Sequence, residues 1–484
     1  MKVLFLSSEV HPFSKTGGLA DVAGALPAAL AALGHDVKVV TPRYLEVRDP
    51  RLQPTGHVLQ LRFPFGPLGG PLLSVKLSAR HEVLFLDCPA LYGRPGLYGD
   101  GHSEFADNAR RFAYLCAGAL QAAQRVGFAP DIVHLNDWQT GLAAVALRTG
   151  FRQGALARAC TVFTVHNLAY QGHFPKGVMD ELGLPWSLFR AEGGLEFYDG
   201  INLLKAGLVF SDALTTVSPT YAKEIQTPEQ GYGLDGLLRE RAEDLHGIVN
   251  GIDVGEWDPR TDPHLPQRFG PGDLAGKAAC KRALLERFEL PAQGAAGEAP
   301  LFATITRLAH QKGVDLLLAA LPDLLARGAR FVALGNGDPR YEAALRELAH
   351  AWPRQVGVHI GFDVALSHLI EAGADFFLMP SRYEPCGLNQ MYSQAYATLP
   401  VVRATGGLAD TVDAGPEGTG IAFGPFEPEA LQGALDQALA LYADAPRLAR
   451  FRERALARDF SWAASARQYE ALYRTLLAAP SGAR

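Results

Sequence analysis

KVLFLSSEVHPFSKTGGLADVAGALPAALAALGHDVKVV, residues 2–40, spells out a complete βαβ unit. Lys2 to Leu6 is an apolar run of strand length, and a glycine-containing loop follows it. Val22, Leu26, Leu30 and Leu33 then recur on one helical face, and Val37 to Val40 supplies a second strand. Apolar, β-branched runs return at Asp131–Leu135, Thr161–Val165 and Ala213–Val217, with helical patterns between them. Short buried strands alternating with helices imply a parallel sheet covered on both faces.

The pattern restarts at Phe302–Thr306. Helical Val314–Ala326, strand Phe331–Leu334, helical Tyr341–His350, strand Val358–Ile360, strand Phe376–Met379, helical Leu388–Ala397 and strand Val401–Val402 repeat the architecture of the first half, and two helical stretches close the chain. The expected fold class is α/β, two Rossmann-like doubly wound domains facing a deep cleft, over residues 1–243 and 244–461. The hinge is expected near Asp244, ahead of the Pro-, Gly- and Asp-rich Pro259–Gly276, and Pro291–Pro300 reads as a surface loop. Length agrees: one hydrophobic core stops growing at about 250 to 300 residues, and this chain has 484, of which 48% are hydrophobic.

A net charge of -6 argues against a nucleic-acid partner, which wants clustered Lys and Arg. No apolar run is long enough for a membrane span, and the N-terminus enters a strand directly, without the pattern of a secretion signal. Cys88, Cys116, Cys160, Cys280 and Cys386 are odd in number and lack C-x-x-C or metal-ligand spacing, which suits a reducing, cytoplasmic location.

Open α/β sheets bind ligands beyond the carboxyl ends of their strands. The polar motifs stand there. After the first strand, Lys15-Thr16-Gly17-Gly18 opens a helix and outlines an anion site of N–H groups, dipole and cation, although a bare Gly-Gly serves a plain turn equally well. Asp21, in the first helical turn, suits the dipole whatever its function. The G-x-G-x-x-G fingerprint and the Walker A loop are both missing, so no dinucleotide cofactor is expected. Asp137 follows one strand; His166 and Asn167 follow the next.

In the second half, Arg307 can fork two phosphate oxygens and Lys312 adds a point charge. Glu384 sits on a stiff Pro-containing loop ahead of Cys386, Gly387, Leu388 and a helix, and Thr405-Gly406-Gly407 makes another strand-end turn.

Lys15-Thr16-Gly17-Gly18-Leu19, His166-Asn167-Leu168-Ala169-Tyr170-Gln171-Gly172, Asn250-Gly251-Ile252-Asp253, Arg307 with Gln311-Lys312-Gly313, and Glu384-Pro385-Cys386-Gly387-Leu388 together resemble the bacterial glycogen synthase and plant starch synthase family. The likeness runs in order from Lys15 to Phe460-Ser461-Trp462, nearly the whole chain. It implies a GT-B glycosyltransferase fold, ADP-glucose as donor, an α-1,4-glucan as acceptor, retention of configuration, and a C-terminal helix, 462–484, that returns to the first domain.

It implies further that Glu384 lies by the donor glucose, that the His166 loop lies near the anomeric carbon, and that Asp137 orients the cations. Lys15, Gly17, Gly18, Arg307, Lys312, Phe362, Cys386, Gly387, Leu388, Thr405 and Gly406 fall on the donor side. Asp21, Asn167 and His166 fall on the acceptor side. Since no D-x-D motif occurs, neither metal nor cofactor is expected, and protein cations neutralise the departing diphosphate instead. Retention fits either a double displacement through a carboxylate or attack from the front face. The chain departs from the family pattern at Asn389, where Thr is usual, at Phe362, where Tyr is usual, and at Ala397, where Ala for Gly reads as neutral. A transferase for UDP-glucose or a small acceptor, an NAD-dependent oxidoreductase and a noncatalytic glucan binder are the competing readings.

Overall fold

The computed structural model describes residues 1–292 and 298–479; the middle of the 291–300 loop and the end of the 462–484 helix lie outside the described residues. Contacts divide the chain into two units, residues 1–251 with the C-terminal segment from Trp462, and residues 252–461.

The first unit contains β1 (Lys2–Leu6), β2 (Asp36–Pro42), β3 (Gln53–Phe63), β4 (Gly66–Lys76), β5 (His81–Leu86), β6 (Ile132–Asn136), β7 (Cys160–Val165), β8 (His173–Pro175), β9 (Glu196–Phe197), β10 (Gly200–Asn202), β11 (Ala213–Thr216) and β12 (Leu245–Gly247). Nine of these form one sheet in the order β12-β11-β7-β6-β1-β2-β5-β4-β3, while β8-β10-β9 is a small antiparallel sheet. Val3, Leu4, Phe5 and Leu6 are all fully buried, as strands covered on both faces require. The helix Gly18–Ala32 lays Leu26 and Leu30, also fully buried, against this core.

The antiparallel β3–β4 hairpin, joined to the sheet through β5, extends it beyond what the sequence reading anticipated. Only one face of β3 carries buried residues, Leu59 and Leu61, while Val58 is exposed. The chain passes from β1 to β2 on one side and returns to β6 on the other, so the loops after β1 and β6 flank the switch point where such sheets leave a crevice. β12 pairs in parallel with β11 and keeps the chain in the first unit through Gly251, past Asp244. Helix Trp462–Ala478 is tied to this unit: Ser465 Oγ donates to the Val249 carbonyl at 2.7 Å, and Tyr473 Oη stands 2.6 Å from His134 Nδ1.

The second unit is built on β13 (Leu301–Ile305), β14 (Arg330–Gly335), β15 (Val356–Ile360), β16 (Phe376–Met379), β17 (Leu399–Arg403) and β18 (Ile421–Phe423). They form a wholly parallel sheet in the order β15-β14-β13-β16-β17-β18. Successive residues feed opposite faces. Phe302, Phe331 and Phe376 join the core beneath helix Val314–Ala326, whereas Leu301, Val332 and Phe377 join the one beneath helices Ala275–Arg287 and Val364–Gly373. Here the switch point falls between β13 and β16, bringing the loops 306–313 and 380–388 side by side. Ala397, read from sequence as a neutral exchange for Gly, sits buried at φ 56°. That is the left-handed region, where a β-carbon costs about 1 kcal/mol, so alanine is strained there.

Candidate functional site

At the end of β1 the chain turns through Glu9, a carboxylate only 3% exposed. It accepts from the Thr16 backbone N–H and, at 3.1 Å, from Thr16 Oγ1. Burial raises its pKa and the Thr16 hydrogen bonds oppose the rise. This buried anchor fixes the Lys15-Thr16-Gly17-Gly18 loop over the start of a 15-residue helix. A β-carbon at Gly17 or Gly18 would meet nothing within 4 Å, so the backbone there is open to a ligand. Lys15 Nζ donates to Asp21 Oδ1 at 2.7 Å, which makes Asp21 the holder of that cation. Glu9 escaped the sequence reading; its signal was a carboxylate placed three residues beyond a buried strand.

Across the switch point, Asp137 follows β6 with φ 54°. Its Oδ1 accepts from the His166 N–H at 2.7 Å, the Asn167 N–H also bonds it, and burial pushes its pKa up to about 7. Among the described residues Asp137 forms no ion pair, so backbone N–H groups rather than cations occupy its carboxylate. Asn136 Nδ2 donates to the Leu6 carbonyl at 2.8 Å, which leaves Asn136 Oδ1 facing His166 Nε2 at 2.9 Å. The imidazole therefore carries its proton on Nε2 and presents Nδ1 as an acceptor. Burial lowers the His166 pKa to about 3, so the ring is neutral near pH 7. Gly172, at φ 61°, lies against the Trp138 indole; a β-carbon there would stand 2.3 Å from the ring.

In the second unit the counterpart loops carry charge. Glu384, 6% exposed, accepts from Lys312 Nζ at 2.6 Å and from Ser381 Oγ at 3.0 Å. Gly313, at φ 68°, lets the two loops touch, since a β-carbon would come within 2.0 Å of the Pro380 carbonyl oxygen. Arg307 is exposed; its Nη2 reaches Gln311 Oε1 at 3.4 Å, and Gln311 Nε2 donates to the Tyr383 carbonyl at 3.2 Å.

The Thr405-Gly406-Gly407 turn packs directly under this loop. The Gly407 N–H donates to the carbonyls of Glu384 and Pro385, both at 3.1 Å, and a β-carbon at Gly406 would lie 2.0 Å from the Glu384 carbonyl oxygen. Cys386 is buried beside it, while Gly387 and Leu388 are half-buried. Asn389 has work of its own: its Nδ2 donates to the Ile305 carbonyl at 2.7 Å, stitching the end of β13 to the following helix. Phe362, in the loop after β15, is 86% exposed.

The structure thus gathers Lys15 with Asp21, Asp137 with His166 and Asn167, and Lys312 with Glu384, next to the Gly406 turn. Among the described residues no three His, Cys, Asp or Glu side chains converge to hold a metal ion, and no helix is long and apolar enough to cross a membrane.

Known proteins resemble both halves of the chain. Residues 2–240 match the family model described as the starch synthase catalytic domain, and residues 286–458 match glycosyl transferases group 1. A glycogen synthase of Myxococcus xanthus (strain DK1622) is 65% identical over 480 residues, covering 99% of this chain and 100% of its own. One from Anaeromyxobacter dehalogenans (strain 2CP-C) is 55% identical, covering 98% and 100%. The solved catalytic domain of starch synthase IV from Arabidopsis thaliana, bound to ADP and acarbose, superposes with a TM-score of 0.90 at 34% identity, over 99% of each chain.

Proposed function

The chain belongs to the glycogen synthase family, a hexosyltransferase of GT-B fold, and from that premise we propose that it transfers glucose from ADP-glucose to the non-reducing end of an α-1,4-glucan with retention of configuration. One observation carries the reading: the Lys312–Glu384 pair, 2.6 Å apart where the second sheet reverses its strand order, with exposed Arg307 in the same loop as Lys312. Arg307 and Lys312, with the Leu388 N–H, neutralise the departing diphosphate, and Lys15 with the open backbone of Gly17 and Gly18 serves the same group. Preorganised donors of this kind are worth about 3 to 4 kcal/mol each. Neither metal nor cofactor takes part.

Glu384 stands by the donor glucose, while Cys386, Gly387, Thr405 and Gly406 shape its pocket and Phe362 stacks on the base. His166 lies near the anomeric carbon. A neutral imidazole with an unprotonated Nδ1 does not repel the positive charge that develops there, as an imidazolium would. Asp137 holds the backbone of His166 and Asn167 in place, and Asp21 and Asn167 face the acceptor. Five buried cysteines, none in a disulfide among the described residues, fit work in the reducing cytoplasm, and neither a membrane nor a nucleic acid is among the proposed partners.

The test is to mix purified protein with glycogen and either ADP-glucose or UDP-glucose, with a chelator present, and to follow diphosphate release and the new linkage. ADP release with α-1,4 extension is expected. Faster use of UDP-glucose, dependence on a divalent ion, or no transfer to glycogen each counts against the corresponding part of the proposal.

A further inference from the structure

The small β8-β10-β9 sheet of the first unit takes no part in the site described above, yet it ends in an unusual turn. Phe197 and Gly200 pair across a two-residue loop, Tyr198-Asp199, with φ 49° and 60°. Positive φ at both central positions is the requirement of a type I′ hairpin turn, which favours Asn-Gly or Gly-Gly. Tyrosine is costly there. Nor does core packing demand it, because Tyr198 is 78% exposed. Strain in the left-handed region that neither turn chemistry nor burial explains points toward function.

The tip is also rigid. Lys176 Nζ donates to both Asp199 carboxylate oxygens at 2.7 and 2.8 Å, and the Asp199 N–H donates to Glu196 Oε1 at 2.9 Å. The Phe197 ring supports Tyr198 edge-on, with centroids 4.6 Å apart. Beside them runs a second strained tyrosine, Tyr232, at φ 48° and 41% exposed. The next residue, Gly233, lies so close that a β-carbon would be 3.0 Å from Phe197 Cζ and 3.3 Å from Tyr198 Oη. Gln171 Nε2 donates to the Tyr232 carbonyl at 3.2 Å, so this platform is continuous with the His166–Gly172 loop.

We infer that Tyr198 and Tyr232 form a secondary binding platform for the glucan acceptor, taking sugar units remote from the chain end that reacts. Pyranose rings present flat faces of C–H groups that stack on exposed aromatic rings, and carboxylates and amides at the rim accept and donate to the hydroxyls. Such a rim is present in Glu196, Asp199 and Gln171. The inference rests on the acceptor reading under Proposed function. It adds a site that only a long chain can reach.

The test uses the full chain. Tyr198→Asn and Tyr232→Asn remove the rings with a residue that tolerates positive φ, and Tyr198→Trp keeps an aromatic face. Glycogen affinity is read by retardation in glycogen-containing gels, alongside KM for ADP-glucose and turnover on maltotriose. The double Asn variant is expected to weaken glycogen binding threefold or more, with the donor KM and maltotriose turnover within twofold of wild type and Tyr198→Trp near wild type. A loss of less than threefold, or an equal loss on maltotriose, overturns the platform. If the double variant melts early, Tyr198→Asn alone is judged by the same threshold. Wild-type protein that neither binds nor extends glycogen overturns the acceptor reading itself, and the platform with it.

Discussion

Beyond β6 and β7 the first unit buries Asp137, half-buries His166 and keeps the imidazole uncharged, whereas beyond β13 and β16 the second unit places Lys312 against Glu384 as an ion pair. The scaffolds are alike: parallel strands, a reversal of strand order, and two loops meeting over it. What differs is the company each carboxylate keeps. Asp137 has only backbone N–H groups, so desolvation prevails and its pKa rises to about 7. Glu384 accepts from an ammonium and a hydroxyl. One fold therefore yields a weakly charged pair beyond β6 and β7 and a charged pair beyond β13 and β16.

The largest expected effects lie in the charged cluster. Lys312→Ala and Arg307→Ala should each lower kcat by about 10² to 10³, as removal of a preorganised donor does. They should differ in stability. Lys312→Ala strands a buried carboxylate and is expected to cost on the order of 3 kcal/mol in denaturant unfolding. The Arg307 side chain hydrogen-bonds only to Gln311 among the described residues, so its removal should stay within about 0.5 kcal/mol. Lys312→Met combined with Glu384→Gln should recover stability without recovering turnover. Should Glu384→Ala keep more than a tenth of wild-type turnover, or Arg307→Ala lose less than threefold, the charged cluster is not the donor's partner.

An effect on stability alone, of opposite sign for the two kinds of group, is expected from pH in the first unit. His134 and His166 are both held down at about 3, so below pH 6.5 the unfolded chain takes up protons that the folded chain refuses. Stability present above pH 6.5 is then lost as pH falls toward 3, by about 1.4 kcal/mol per pH unit for each imidazole. Asp137 behaves inversely. Its folded pKa lies above the ordinary 3.8, so the stability it confers is complete below that value and is lost as pH rises through about 7. At pH 8, Asp137→Asn should be more stable than wild type by at least about 1 kcal/mol, and yet slower. Urea titrations at pH 5 and pH 8 read both. An Asn variant less stable at pH 8 would mean that backbone hydrogen bonds hold the ionised carboxylate comfortably, and the contrast between the units would dissolve.

The parallel strands were legible because burial on both faces forces continuous apolar runs: Phe376–Met379 and the helix Val314–Ala326 stand where periodicity placed them. The β3–β4 hairpin was not, since its exposed face and its prolines and glycines dilute the alternation. β12, three residues long, carries too little pattern to reveal that the chain remains in the first sheet beyond Asp244. In the candidate site, residue types and strand-end positions could be read. Pairings could not. Nothing in the sequence says that Glu9 anchors Thr16, that Asp137 binds backbone, or that Ala397 must adopt positive φ, because each depends on contacts between segments far apart or on a local conformation without a residue signature.

The smallest expected effect concerns Lys15 and Asp21, partly exposed and 2.7 Å apart. A pair in contact with water contributes about 0 to 1 kcal/mol, so neither Lys15→Ala nor Asp21→Asn should move the unfolding midpoint much. Substrate affinities should separate them. If Lys15 serves the diphosphate as proposed, Lys15→Ala should raise KM for ADP-glucose severalfold, an effect that weakens in 0.5 M salt as screening shrinks the wild-type advantage. Asp21→Asn releases Lys15 from its partner and should leave the donor KM unchanged or lower it, while raising KM for glycogen. If Asp21→Asn raises the donor KM as much as Lys15→Ala does, the two work as one donor-binding unit. In that case the first unit carries its own charged cluster, and the division between a weakly charged and a charged half does not hold.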